Sequence, residues 1–179
     1  MKLIILYGSE ASGKLTRAKA LVSRTILKLF HNHISIDVGR VLFDYGQEAF
    51  IELVWKVRLL VFESAAKNVV PGIVFTWAYS HPDFQPLLDR LLATVAPYNT
   101  QVHYVFVQCS QADLEQRVTN DDRARAGKAH TIEQLHQQQQ IKNHVEIPGM
   151  DSLHIDSSKL TAEEAAHRVI REFKLERTV

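Results

Sequence analysis

The 179 residues are 46% hydrophobic and 23% charged, and carry a formal net charge of +1. These values suit one globular domain with a substantial core, and they exclude a global field that would draw in nucleic acid, membrane or acidic partners. The single cysteine, Cys109, excludes an internal disulfide; within the apolar run YVFVQC it reads as a buried, inert thiol.

In chain order, MKLIILYG offers too few residues before its glycine for a signal peptide or membrane span. No later stretch reaches about 18 consecutive apolar residues, so a reducing, cytoplasmic setting is expected. KLIILY (2–7) predicts a strand, and the glycine-containing stretch GSEASGKLT (8–16) leads into a helix over 13–30. ISID (34–37) predicts the second strand and 47–68 a long helix, in which LVWKVRLLVFESAA repeats apolar positions every three or four residues. GIVFTW (72–77) follows the Pro71-Gly72 break, then come a helix over 84–96, the strand VHYVFV (102–107) and helices over 111–120 and 132–143. SLHID (152–156), after Pro148-Gly149, is the fifth strand, and 162–173 the last helix. Ser110, Thr131 with Gln134, and Thr161 with Glu164 are helix-start signals that agree with these boundaries. QQQQ (137–140) falls on a solvated helix, and no repeat or linker divides residues 1–179. The alternation predicts an α/β fold: about five parallel strands between two helical layers, with ligands at the carboxyl ends of the strands.

The stretch 8–16 has the spacing G-x-x-x-x-G-K of a phosphate-binding loop, between a strand and a helix. Gly8 and Gly13 permit positive φ, so that the N–H groups of Gly8, Ser9, Glu10, Ala11, Ser12, Gly13, Lys14, Leu15 and Thr16 converge on phosphate oxygens. Lys14 neutralises the β- and γ-phosphates there. Leu15 stands where a Ser or Thr would ligate Mg²⁺, and its side chain offers no oxygen. Thr16 lies about 100° further round the helix, placed for an α-phosphate oxygen rather than the metal. Phosphate binding is therefore more firmly indicated than metal-dependent chemistry.

From this loop to the last strand, the chain resembles the small P-loop kinases, the superfamily of shikimate, gluconate and adenylate kinases. It is most similar to a branch that pairs the GKLT loop with FHNHISID, here 30–37. The resemblance implies a three-layer α/β/α sandwich of strand order 2-3-1-4-5, ATP and Mg²⁺ as cofactors, and transfer of the γ-phosphate to a small acceptor. It also implies an acidic residue at the end of the second strand, assigned to Asp37, holding Mg²⁺ through water and orienting the acceptor hydroxyl; a helix N-cap is the alternative for that carboxylate. A lid over about 118–131 is implied, with Arg117 and Arg123 clamping phosphates beside Arg125; an exposed, solvated loop is the alternative for DDRARAGK. Arg58, on the long helix, is implied as an acceptor ligand, against a surface arginine that snorkels.

His31 and His33 flank Asn32, without the neighbouring Cys or carboxylate set that zinc needs. One imidazole, assigned as His33, reads as an acceptor-binding or proton-relaying group, the alternative being a histidine bonded to backbone. The third strand ends without an aspartate. Thr76, Trp77, Tyr79 and His81 there could line an acceptor pocket, or Trp77 could pack in the core and His81 lie on the surface. Near the last strand, Ser157 and Ser158 are weak candidates beside an adenine base, and Asp156 suits a turn. Three readings remain: an ATP-dependent phosphotransferase, a nucleotide-binding protein with little transferase activity, and a nucleic-acid-end kinase. The net charge and the acidic Asp121 and Asp122 count against the last, no membrane partner is expected, and monomer or dimer stays open.

Overall fold

Why β1 is central is visible in its residues: every side chain from Leu3 to Tyr7 in KLIILY is buried, as a strand covered on both faces requires. The computed structural model describes residues 1–68, 70–120, 124 and 127–178. The elements are β1 (Lys2–Tyr7), α1 (Lys14–Val22), β2 (Lys28–His31), α2 (Asn32–Arg40), α3 (Glu48–Lys67), β3 (Gly72–Trp77), α4 (Gln85–Val95), β4 (Gln101–Gln108), α5 (Gln111–Val118), α6 (Ile132–Ile141), β5 (Ser152–Asp156) and α7 (Ala162–Glu172). The strands form one parallel sheet in the order β2-β3-β1-β4-β5.

The two-residue period of the strands divides the core. Leu3, Ile5 and Tyr7 pack with Trp55 and Phe62 of α3 and Leu88 and Leu91 of α4. Ile4 and Leu6 pack with Ala18 and Leu21 of α1 and Val169 and Ile170 of α7. The three expected helix-start signals are met: Ser110, Thr131 and Thr161 accept from Asp113, Gln134 and Glu164 backbone N–H, and Thr161 with Glu164 completes a capping box.

One expected strand is wrong. ISID lies within α2, and the second strand is KLFH, whose residues 28–30 fall at the end of the expected helix over 13–30. Ser35, Ile36 and Gly39 are the buried residues of α2 while Ile34 is exposed, which is a helical face. Four-residue apolar runs do not distinguish the two forms, and burial decides: Phe30 stacks on Phe75 and meets Phe62 edge-on, which fixes KLFH in the sheet. The carboxyl end of β2 is therefore His31. No helix among the described residues is long and apolar enough to cross a membrane.

Candidate active site

Register brings the strand ends together: Tyr7 lies opposite Trp77 on β3 and Phe106 on β4, and His31 opposite Thr76. The loop from Gly8 to Gly13 springs from this edge. Gly8 has φ +140°, and a Cβ there would stand 2.3 Å from the Val107 carbonyl oxygen. Gly13, at φ +81°, opens α1, which has no side-chain cap and no acidic residue in its first turn. Its leading N–H groups are thus left for an anion. Ala11 also has positive φ (59°), and its methyl is buried with Leu114, Val118 and Leu135, which offsets the strain. Lys14 Nζ donates to the Gly8 carbonyl at 2.9 Å, to the Ser9 carbonyl, and to Ser12 Oγ at 3.2 Å. The ammonium thus rests on the loop's own acceptors, which a phosphate can replace. The loop fits a nucleotide's phosphates. Gly8→Ala is expected to cost about 2–4 kcal/mol, because the clashing atom is backbone and cannot rotate away. Thermal unfolding measures this, and an unchanged midpoint would contradict the packing described.

Mg²⁺ finds no such fit. Leu15 is half-buried and brings no oxygen, and Thr16 is exposed. β3 runs on into Ala78, Tyr79 and Ser80, and β2 ends in His31, so neither strand ends in a carboxylate. Asp37, expected at the strand end, stands within α2 with its side chain 64% exposed and 3.5 Å from Arg40. No cluster of His, Cys, Asp or Glu suited to a metal occurs among the described residues.

Arg117 does reach the loop region, from the last turn of α5. Its Nη1 donates to Ser157 Oγ at 2.9 Å and to Cys109 Sγ at 3.1 Å, and its Nη2 to the Ser157 carbonyl at 2.9 Å. A second, unanticipated guanidinium stands beside it. Buried Arg17 donates to the carbonyls of Ser157 (3.0 Å), Leu160 (2.6 Å) and Gly13 (3.4 Å). Burial and then the charge of Arg117 lower its pKa. Its only sequence signal is its place one turn after Lys14. Asp156 serves the turn, accepting from Ser158 N–H at 2.9 Å, and Ser158 Oγ accepts from Ser110 N–H. Arg123 and Arg125 lie outside the described residues, as does part of the expected lid.

At the β2–α2 corner, His31 ends the strand and His33 lies in the first turn of the helix, their ring centroids 6.4 Å apart. Burial first and Lys128 second lower both pKa values, that of His33 to about 4, so both imidazoles are neutral at physiological pH. Arg58 is neither a surface arginine nor open to an acceptor. It is buried beneath the corner, donating to Ser35 Oγ at 2.8 Å and to Asn32 Oδ1. Trp77 takes its core-packing alternative, and Tyr79 is corrected. Both are fully buried, in an aromatic cluster with Tyr7, Trp55 and Phe84, and so line no pocket. Thr76 Oγ1 accepts from Asn32 N–H, and His81 Nδ1 meets the Tyr79 hydroxyl.

No protein-family model and no curated sequence matches the chain. Solved structures do. An unliganded sugar kinase from Janibacter sp. matches with a TM-score of 0.69 at 13% identity, over 98% of this chain and 95% of that one. APS kinase from Mycobacterium tuberculosis, in complex with AMPPNP and APS, matches at 0.58 and 15% identity, over 97% of each chain. Shikimate kinase from Aquifex aeolicus matches at 0.52 and 13% identity, over 97% of this chain and 96% of that one.

Proposed function

We propose, for a chain that has the P-loop kinase fold, that it transfers the γ-phosphate of ATP to the hydroxyl of a small acceptor in a cytoplasmic setting. The observation that carries this is the loop itself: a glycine cradle, an uncapped helix start and the Lys14 ammonium, all at one strand edge. The loop N–H groups hold the β-phosphate, and Lys14 follows the charge of the transferring group. Arg117, held on Ser157 just past the ends of β4 and β5, is assigned as a clamp on the phosphates. The acceptor is assigned to the β2–α2 corner, among His31, His33 and Asp37, and a lid over 118–131 with Arg123 would exclude water. The acceptor hydroxyl gives its proton to Asp37, its oxygen bonds to the γ-phosphorus, the bond to the bridging oxygen breaks, and ADP leaves. Mg²⁺ enters this proposal only as the counter-ion the nucleotide brings.

The test is transfer of γ-label from ATP across a panel of small hydroxyl-bearing metabolites and antibiotics. Label in no acceptor, together with tight ATP binding, favours a nucleotide-binding protein of little transferase activity. Leu15 and the strand ends without carboxylates support that second reading. The metal question has its own measurement. Wild-type ATP affinity is expected to change less than about threefold on removing Mg²⁺, whereas Leu15→Thr gains about tenfold only when Mg²⁺ is present. Equal Mg²⁺ dependence of the two proteins in calorimetric titration would contradict the assignment of Leu15.

A further inference from the structure

The loop carries a carboxylate, Glu10, where a nucleotide's phosphates would repel it. Its oxygens are both engaged: Oε1 accepts from Lys142 Nζ at 2.7 Å and Oε2 from His144 Nε2 at 2.8 Å. The three side chains are 15%, 22% and 6% exposed, in the order Glu10, Lys142, His144. The other ring nitrogen of His144, Nδ1, stands 2.6 Å from the Tyr79 carbonyl oxygen at the end of β3. A carboxylate and a carbonyl can only accept. Both imidazole nitrogens must therefore carry hydrogen, and the ring in this arrangement is an imidazolium.

The segment that supplies these cations, just after α6, is fixed on its other side as well. Asn143 N–H donates to Ser80 Oγ at 3.0 Å, His81 N–H to the Asn143 carbonyl at 3.0 Å, and Ile147 N–H to the Tyr7 hydroxyl at 3.1 Å. Other titratable groups nearby are occupied elsewhere. The Tyr79 hydroxyl donates to Gln85 and meets His81, and Glu146 accepts from His154 at 3.0 Å. One carboxylate with two cations leaves the cluster at +1. Burial pushes the Glu10 carboxyl up, but the hydrogen bond and charge of His144, then Lys142, more than reverse this and hold it well below the usual carboxylate range.

We propose that Glu10 is a tether that brings Lys142 and His144 to the phosphate loop, and that the His144 imidazolium is a positioning residue setting the loop's affinity for nucleotide phosphates. This rests on the loop's being the nucleotide site. Loss of the His144 proton takes the cluster from +1 to zero and deprives either Glu10 or the Tyr79 carbonyl of its donor.

Calorimetric ATP titration of the full chain tests this, comparing His144→Gln with wild type at the same pH so that ATP's own titration cancels. The variant is expected to bind about tenfold more weakly. Adding Glu10→Gln to His144→Gln restores part of the loss, because the uncompensated carboxylate goes too. Equal binding by variant and wild type overturns the proposal, as does a double variant that binds no better than His144→Gln. Should His144→Gln not fold, the imidazole resonances of the wild type serve instead: saturating ATP must shift those of His144. No movement with ATP overturns the proposal. A wild type that binds no ATP at all overturns the nucleotide site itself, a result distinct from those.

Discussion

Phosphoryl transfer is expected to fall by about 10²–10³-fold in Lys14→Met, with the unfolding free energy within about 1 kcal/mol of wild type. The two numbers separate because Lys14 Nζ has two sets of partners. In the free protein it sits on the Gly8 and Ser9 carbonyls and Ser12 Oγ, in a partly exposed loop where water can take its place. Methionine keeps the aliphatic stem, and Ser12 Oγ retains its own bond to the Ser9 carbonyl at 2.8 Å. During transfer, by contrast, no water substitutes for a tethered cation that follows the charge of the γ-phosphate. The decisive comparison is the rate of γ-label transfer beside a thermal melt of the same variant. Transfer at the wild-type rate would remove Lys14 from the site, while a melt depressed by several kcal/mol would make it a clamp on the loop rather than a ligand for phosphate.

The loop was legible in sequence because its chemistry is local: strand, glycines, lysine and helix are contiguous, and the structure holds them in that order. β2 was not, because KLFH and ISID are equally short, and only Phe30's seat among Phe62 and Phe75 selects the first. That shift put His31 where a carboxylate was expected. Trp77 and Tyr79 stand at the expected sheet edge, and for Trp77 the core-packing alternative holds. They share parity with Phe75, and so continue its face into the layer under α3 and α4. Arg58 was recoverable: Val54, Trp55, Arg58, Phe62 and Ala65 form one buried stripe at three- and four-residue spacing, and a charge on that stripe must point inward. Glu10 with His144, and Arg17 with Ser157, pair over 134 and 140 residues. No local pattern encodes such pairs.

The inward arginine leads to the second large effect: Arg58→Ala is expected to destabilise the protein by about 3–4 kcal/mol, whereas Arg58→Met stays within about 1 kcal/mol. Burial lowers the guanidinium pKa to about 9, which leaves it charged at neutral pH. Among the described residues no carboxylate forms a salt bridge with it. Its partners are Ser35 Oγ, Asn32 Oδ1 and the faces of Trp55 and Phe75, at 4.7 and 5.7 Å from Cζ. Neutral dipoles and ring faces offset only part of the desolvation of a cation. Alanine leaves both the cavity and unpaired polar groups. Methionine fills the stem's volume and relieves the desolvation, against the loss of two hydrogen bonds. The near-neutral balance for methionine makes stability a poor account of this arginine, and positioning a better one, because Asn32 is held between His31 and His33. Chemical denaturation of the two variants decides the matter. A methionine variant as unstable as the alanine one would make the charge a net stabiliser. A stable methionine variant with altered His31 and His33 resonances would show that Arg58 sets the corner at which the acceptor is proposed to bind.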